Sequence, residues 1–226
     1  MLRRSIAGGV AAVVLGLAAP AVRAATPVPP TPPAAPPLEP TASARIDGFR
    51  SAHFGMSEEA VRAAIAADFH VSGRALEVKE NPVQRTGVIS IRVANLVPQG
   101  GIAEIAYIFG YHSRTLIEVN IVWSKATDPT ITPSRLVANG ETLQAYFERQ
   151  GFAPGETARN ALLPSGNVLL FRARDEDGHA VAVVLAGRRV QGGPAHGERL
   201  APTALGVDYA ADPTHPDVFE LKKGTF

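Results

Sequence analysis

The chain has 226 residues, 22 of them lysine or arginine and 21 aspartate or glutamate, and it has no cysteine. We expect no nucleic-acid partner, because such proteins present a basic patch or stripe and none is visible here. Without cysteine the chain can form no disulfide bond and cannot carry the lipid anchor of a bacterial lipoprotein, so we expect it to depend on an apolar core.

The first 24 residues have the pattern of a secretory signal peptide. Arg3 and Arg4 precede an apolar run over residues 6–19, and residues 22–24 place small or apolar side chains where a signal peptidase reads. The run has about 14 residues, fewer than the ~20 that span a bilayer. The sequence therefore predicts cleavage near Ala24 and a periplasmic protein without a membrane anchor.

Cleavage at this point changes the charge balance. It removes Arg3, Arg4 and Arg23 and leaves 19 basic against 21 acidic residues. An anionic membrane surface is therefore disfavoured as a partner. The arginine pair leaves two export routes open, the general secretory route and the twin-arginine route.

Residues 26–40 read TPVPPTPPAAPPLEP, and more than half of them are proline. Proline lacks the N–H and fixes φ, which predicts an extended polyproline II spacer. The segment is interpreted either as a disordered tail or as a tether that presents Pro-x-x-Pro to a partner. We therefore place a proline-rich linker at residues 25–45 and the folded domain at residues 46–226.

The first predicted helix begins after Ser57. Ser57 suits the N-cap, and Glu58 and Glu59 suit the positive end of the helix dipole. Apolar residues then recur at helical spacing as far as Phe69.

Strands are predicted over residues 88–94, 102–109 and 115–123, with a short earlier one at 76–80. Apolar and polar residues alternate along them, which is typical of an antiparallel sheet buried on one face. In the predicted strand over residues 115–123, the side chains expected to point into the core are those of Ile117, Val119, Ile121 and Trp123. The opposite face is predicted to be polar and solvated, through Ser90, Arg92, Glu104, Glu118 and Asn120.

A second helix is predicted from Thr132 and Pro133 to Gly151, bent or broken at Gly140. Strands at residues 168–174 and 180–186 flank an Asp-Gly hairpin turn. A loop over 187–203 precedes a last strand at 204–210.

This element order predicts the α+β class, with helices packed on an antiparallel sheet. A helix and three strands occur twice, which suggests a tandem α-β-β-β duplication with halves 46–130 and 131–226. No residue-by-residue repeat supports the duplication.

The run FGMSEEAV at residues 54–61 resembles the opening of a BamE/SmpA-like module. In its tandem form this module is similar to the β-lactamase inhibitor protein fold. The resemblance implies an α+β fold and a role in outer-membrane assembly. Two features depart from the family pattern. The family members are lipoproteins, whereas this chain has no cysteine, and DFHV at residues 68–71 stands in place of their Gly-x-Pro step.

No catalytic, cofactor or metal motif is found. Asp175, Glu176, Asp177 and His179 are interpreted as a solvated hairpin turn, because residues 180–182 supply no further calcium ligand. Ser165 lacks the nucleophile elbow, and the glycines near residue 190 precede no helix that would hold a phosphate. Trp123 is interpreted as a core residue. We therefore expect a non-enzymatic protein without cofactors.

Tyr111, His112 and Arg114 lie together in a predicted hairpin turn and are candidate binding residues, since Tyr and Arg are enriched at interfaces. The first functional hypothesis is a protein that binds another envelope protein in assembly or maintenance. The alternative is a small-molecule or inhibitor-type module that binds in a groove between the two halves. The sequence does not decide the oligomeric state.

Overall fold

The computed structural model describes residues 44–190, 199–221 and 224. The predicted signal peptide and all but the last two residues of the predicted linker lie outside them. Within the described part, no helix has both the length and the hydropathy needed to cross a membrane.

The described chain contains two α-helices, α1 and α2, and ten β-strands, β1 to β10. Short 3-10 turns follow each helix, at Gly73–Ala75 and Pro154–Glu156. In chain order the elements are β1 Gly48–Phe49, β2 Ala52–His53, α1 Glu58–Phe69, β3 Glu77–Glu80, β4 Gly87–Ala94, β5 Ile102–Phe109, β6 Leu116–Ser124, α2 Pro133–Glu148, β7 Thr157–Leu162, β8 Val168–Arg174, β9 Ala180–Val190 and β10 Arg199–Ala210.

Eight strands form one antiparallel sheet in the order β3-β4-β5-β6-β10-β9-β8-β7, while β1 and β2 form a separate pair. The last strands of the two halves of the chain, β6 and β10, therefore pair at the centre of the sheet. Trp123 lies opposite Leu205 in this pair, and Val119 lies opposite Tyr209.

The predicted α+β class is wrong. The described part of the chain is mostly β, with 41% of its residues in strands and 20% in helices. The α-β-β-β units are wrong as well, because four strands follow each helix rather than three. The missed strand β7 lies at the sheet edge and pairs only with β8, so its side chains are mostly exposed and carry little apolar alternation.

Several predicted elements are confirmed. The Ser57 hydroxyl caps α1 by accepting from the N–H of Ala60, and the Thr132 hydroxyl caps α2 by accepting from the N–H of Arg135. β5 and β8 have the predicted bounds. On β6, Leu116 is buried in place of the predicted Ile117, because the pairing with β5 shifts by one residue there.

The predicted break at Gly140 does not occur, since α2 is continuous, but α2 ends before Gly151. A Cβ at Gly140 would come within 2.5 Å of the Leu170 side chain of β8, so the glycine permits a close helix–sheet contact. The predicted loop 187–203 is mostly strand in its described residues, because β9 extends to Val190 and β10 begins at Arg199. Residues 191–198 of that loop lie outside the described residues.

One face of the sheet, the inner face, holds the apolar core. α2 packs on β8, β9 and β10, while β1 contacts β6 and β10 and α1 contacts β2. Val61 and Ile65 of α1 belong to the same core. The largest fully buried side chains are Trp123 and Tyr107. Burial of this apolar surface supplies the main stabilisation of the fold.

The opposite face, the outer face, is polar but only partly solvated. Ser90 is buried, and Glu118, Asn120 and Asp208 are half-buried. The predicted polar character is therefore confirmed, whereas the predicted exposure of Ser90, Glu118 and Asn120 is wrong.

Candidate functional site

A groove of about 580 Å³ opens on the inner face between residues 44–50 and α2. Residues 96–98, in the loop between β4 and β5, lie at one end of it. Its lining thus comes from both halves of the chain. The groove lies above the central pair β6 and β10, where the two helical covers of the sheet leave a gap.

Trp123 and Tyr209 lie on the floor of the groove. The side chain of Trp123 is fully buried, and its Nε1 has no hydrogen-bond partner among the described residues. An unsatisfied buried donor costs about 1–3 kcal/mol. Burial raises the pKa of Tyr209, and the neighbouring Tyr146 raises it further, so that this phenol is neutral over the whole physiological range.

Aromatic rings continue from the floor into both walls. Phe49 lies 5.6 Å from Tyr209 between ring centroids, and Phe147 lies 6.1 Å from Tyr209 on the other side. Tyr146 contacts Phe147 at 5.1 Å and is 51% exposed, so it forms part of the groove rim. Such rings offer large apolar contact area together with polar edges.

Two arginines lie at the rim. The guanidinium of Arg50 lies 4.5 Å from the centroid of the Phe69 ring and donates to the backbone oxygen of Asp68 at 3.4 Å. Arg45 forms an ion pair with Asp177. Both cations therefore have protein partners, and the rest of the lining combines aromatic and aliphatic side chains with the polar Asp47, Thr142 and Gln150.

This arrangement suits a ligand that is mainly apolar. Small-molecule sites are typically apolar cavities of ~300–1,000 Å³ with a few oriented polar groups.

The candidate binding residues Tyr111, His112 and Arg114 lie together in the turn between β5 and β6. The rings of Tyr111 and His112 are 4.5 Å apart, and the Arg114 guanidinium lies 5.9 Å from the Tyr111 centroid. The C-terminal tail holds this turn, because Asp217 Oδ1 accepts from the N–H of His112. These residues lie outside the groove lining, and their contact with an envelope partner stays a prediction.

The acidic hairpin forms the connection between β8 and β9. Ligand atoms of Asp175, Asp177 and His179 lie within 4.8 Å of one another. Asp175 Oδ1 accepts from the N–H groups of Asp177 and His179, and Oδ2 accepts from the N–H of Ile46. Asp177 is paired with Arg45. The carboxylates thus have structural roles in a turn, as predicted, but Asp175 is buried, so the predicted solvation of the turn is wrong at that residue. Glu176 does not join the cluster.

Sequence reasoning missed Phe49, Tyr146 and Tyr209 as site residues and treated Trp123 as core alone. These residues are far apart in the sequence and meet only through the β6–β10 pairing. A single tryptophan on the apolar face of a strand was the one available signal, and it is equally typical of an ordinary core.

Comparisons with family models, with curated proteins and with solved structures give no match to this chain. The resemblance to the BamE/SmpA-like module therefore stays a prediction.

Proposed function

We propose that this protein is an exported, non-enzymatic binding protein whose groove receives a small, mainly apolar ligand. The observation that supports it most is the aromatic lining of the groove, which has Tyr209 and Trp123 on its floor and Phe49, Tyr146 and Phe147 beside them. Export rests on the signal-peptide pattern of residues 1–24. The proposal contains no chemical step and needs no cofactor.

The groove favours the small-ligand hypothesis over the envelope-protein hypothesis. Its lining comes from residues 44–50 and 96–98 in the first half and from α2 and Tyr209 in the second. The small-ligand hypothesis likewise places its groove between the two halves. In the hairpin with Tyr111, the backbone N–H groups of His112 and Ser113 already donate to Asp217.

Replacement of Tyr146 by alanine tests the proposal. Tyr146 lines the groove but is 51% exposed, so the change removes contact area with little effect on folding. We expect the Kd for N-phenyl-1-naphthylamine, an apolar probe that fluoresces when bound, to rise about fivefold, which corresponds to roughly 1 kcal/mol.

The matched control is Glu141→Ala, an exposed position on the same helix outside the groove lining. It should leave the Kd of the probe unchanged. Equal probe affinity in wild type and Tyr146→Ala, with both folded by circular dichroism, would contradict the groove as the binding site.

A further inference from the structure

We infer that the groove binds an amphipathic monocarboxylate of the fatty-acid type, with its apolar body against the aromatic rings and its carboxylate on the guanidinium of Arg50. This inference rests on the proposed function, because it names the chemical class of the ligand for the same groove. Three observations support it: the pairing of the charged side chains in the lining, the contacts of the Arg50 guanidinium, and the row of rings that leads from it to the groove floor.

The groove lining contains three charged side chains, Arg45, Asp47 and Arg50. Arg45 forms an ion pair with Asp177, and Asp47 Oδ2 lies 3.2 Å from Nδ1 of His53. Within the described part of the chain, Arg50 contacts only neutral groups, two phenylalanine rings and a backbone oxygen. Its positive charge is therefore not neutralised by the protein, and one such cation complements a ligand with a single negative charge.

Two uncharged polar side chains of the lining are bound to the backbone of α2. The Thr142 hydroxyl donates to the oxygen of Ala138 at 2.8 Å, and Nε2 of Gln150 donates to the oxygen of Tyr146 at 3.3 Å. A carboxylate needs donors, and an arginine side chain has five N–H groups in a planar fork. Arg50 is therefore the strongest binding group that the lining offers to a carboxylate.

The contacts of the Arg50 guanidinium leave its edge available. Its central carbon lies 4.5 Å from the centroid of the Phe69 ring, and one N–H donates to the backbone oxygen of Asp68 at 3.4 Å, which is long for a hydrogen bond. The carboxylate of Asp68 accepts instead from the N–H and the hydroxyl of Ser51. Stacking uses the face of a guanidinium, while the N–H groups that bind a carboxylate in bidentate fashion point outward in its plane.

The turn that carries Arg50 is held in place before a ligand binds. Arg50 and Ser51 form the two-residue turn between β1 and β2, and the Ser51–Asp68 hydrogen bonds of 3.0 and 2.7 Å tie this turn to α1. A cation that is already positioned requires less ordering when the ligand binds.

A row of aromatic rings connects Arg50 with the groove floor. The guanidinium lies 5.8 Å from the centroid of Phe49, and Phe49 lies 5.6 Å from Tyr209. Arg50 is exposed at the rim, so a carboxylate bound there keeps part of its hydration and avoids the cost of full burial. The apolar body then lies along the rings, where burial is favourable.

Displacement of N-phenyl-1-naphthylamine by laurate, dodecanol and dodecylamine tests the inference, because these ligands share one chain and differ in the charge of the head group. In wild type, laurate should displace the probe at a concentration about tenfold lower than dodecanol, and dodecylamine should be the weakest, since the bidentate contact favours only the carboxylate. In Arg50→Gln the preference for laurate over dodecanol should fall below about twofold.

The matched control is Arg74→Gln, at an exposed arginine outside the groove lining, and it should keep the wild-type preference for laurate. Far-UV circular dichroism should show all three proteins folded, because both arginines are exposed.

The outcomes separate the two proposals. Equal displacement by laurate and dodecanol in wild type, a preference for laurate that survives Arg50→Gln, or a bound probe that none of the three ligands displaces overturns the inference and leaves the proposed function standing. Failure of the probe to bind, or binding that Tyr146→Ala does not weaken, contradicts the proposed function and the inference with it.

Discussion

The two faces of the central sheet are built from alternate residues of the same strands and have opposite character. On the inner face of β6, Val119, Ile121 and Trp123 are fully or nearly fully buried. On the outer face, Glu118 and Asn120 are half-buried and polar. The inner face thus combines the core and the aromatic groove, while the outer face holds carboxylates at a cost in free energy.

The outer face has a continuous row across the sheet. From β4 to β8, the residues in register are Ser90, Ala106, Asn120, Asp208, Ala182 and Arg172. Burial raises the pKa of Asp208 to about 6, and the charge of Glu118 adds to the shift. Burial also raises the pKa of Glu118, opposed by a hydrogen bond from Asn120. The adjacent strands β6 and β10 therefore each place on this face one carboxyl group whose ionised form is disfavoured by burial.

The largest expected effect comes from placing a charge on the inner face. Ile105 is fully buried on β5, opposite Ile121. Ile105→Asp should remove more than about 4 kcal/mol from the free energy of unfolding and leave the domain unfolded, because a buried carboxylate without a partner is not tolerated. Denaturant titration followed by far-UV circular dichroism measures this. A cooperative transition near that of wild type would contradict the assigned inner face.

Removing a charge from the outer face should have a smaller effect and should increase the free energy of unfolding. Because the pKa of Asp208 is about 6 in the folded protein, the folded state retains a proton that the unfolded state loses near pH 4. The free energy of unfolding therefore falls as pH rises from 4 to 6. Asp208→Asn should be more stable than wild type by about 1–2 kcal/mol at pH 7, allowing for partial exposure, and equal to it near pH 3.5.

Asp212→Asn is the control for this change. Hydrogen bonds from the N–H groups of His215 and Thr214 lower the pKa of Asp212, so its replacement should reduce stability at pH 7 rather than raise it. Thermal unfolding at pH 3.5 and pH 7 distinguishes the two variants. An Asp208→Asn protein no more stable than wild type at pH 7 would show that the carboxylate is well solvated.

The smallest change in the free energy of unfolding is expected for a substitution at Glu104, which is next to Ile105 in the sequence and lies on the opposite face of the sheet. Glu104 lies 3.6 Å from Arg92 in a largely exposed ion pair. Glu104→Gln should change the free energy of unfolding by less than about 0.5 kcal/mol, and the difference should decrease further in salt. Denaturant unfolding at two salt concentrations measures it. A loss comparable with that of Ile105→Asp would mean that the two faces of β5 are not distinct.

Local patterns predicted the strands of the two faces better than the fold class or the site. The alternation on β5 and β8 placed both strands correctly because each residue's burial is set by its own position on the pleat. β7 has no such alternation, and the two-residue strands β1 and β2 are too short to show one. Because β1, β2 and β7 show no clear pattern in the sequence, the predicted share of strand was too low and the share of helix too high. This error led to the α+β class.

The groove depends on contacts that no local pattern contains. Phe49 and Tyr209 are 160 positions apart in the sequence, yet their rings lie 5.6 Å from each other. Their contact requires β10 to pair with β6 rather than with β9 alone. The aromatic lining of the groove therefore follows from the strand order and not from any single segment.

Energy transfer from Trp123 to bound N-phenyl-1-naphthylamine tests the central claim most directly. Trp123 is the single tryptophan of the chain and lies on the groove floor, so its emission reports on this site alone. Occupation of the groove predicts saturable quenching of Trp123 with matching probe emission, at one probe per chain. Probe binding that leaves Trp123 emission unchanged, or transfer that never saturates, would contradict it.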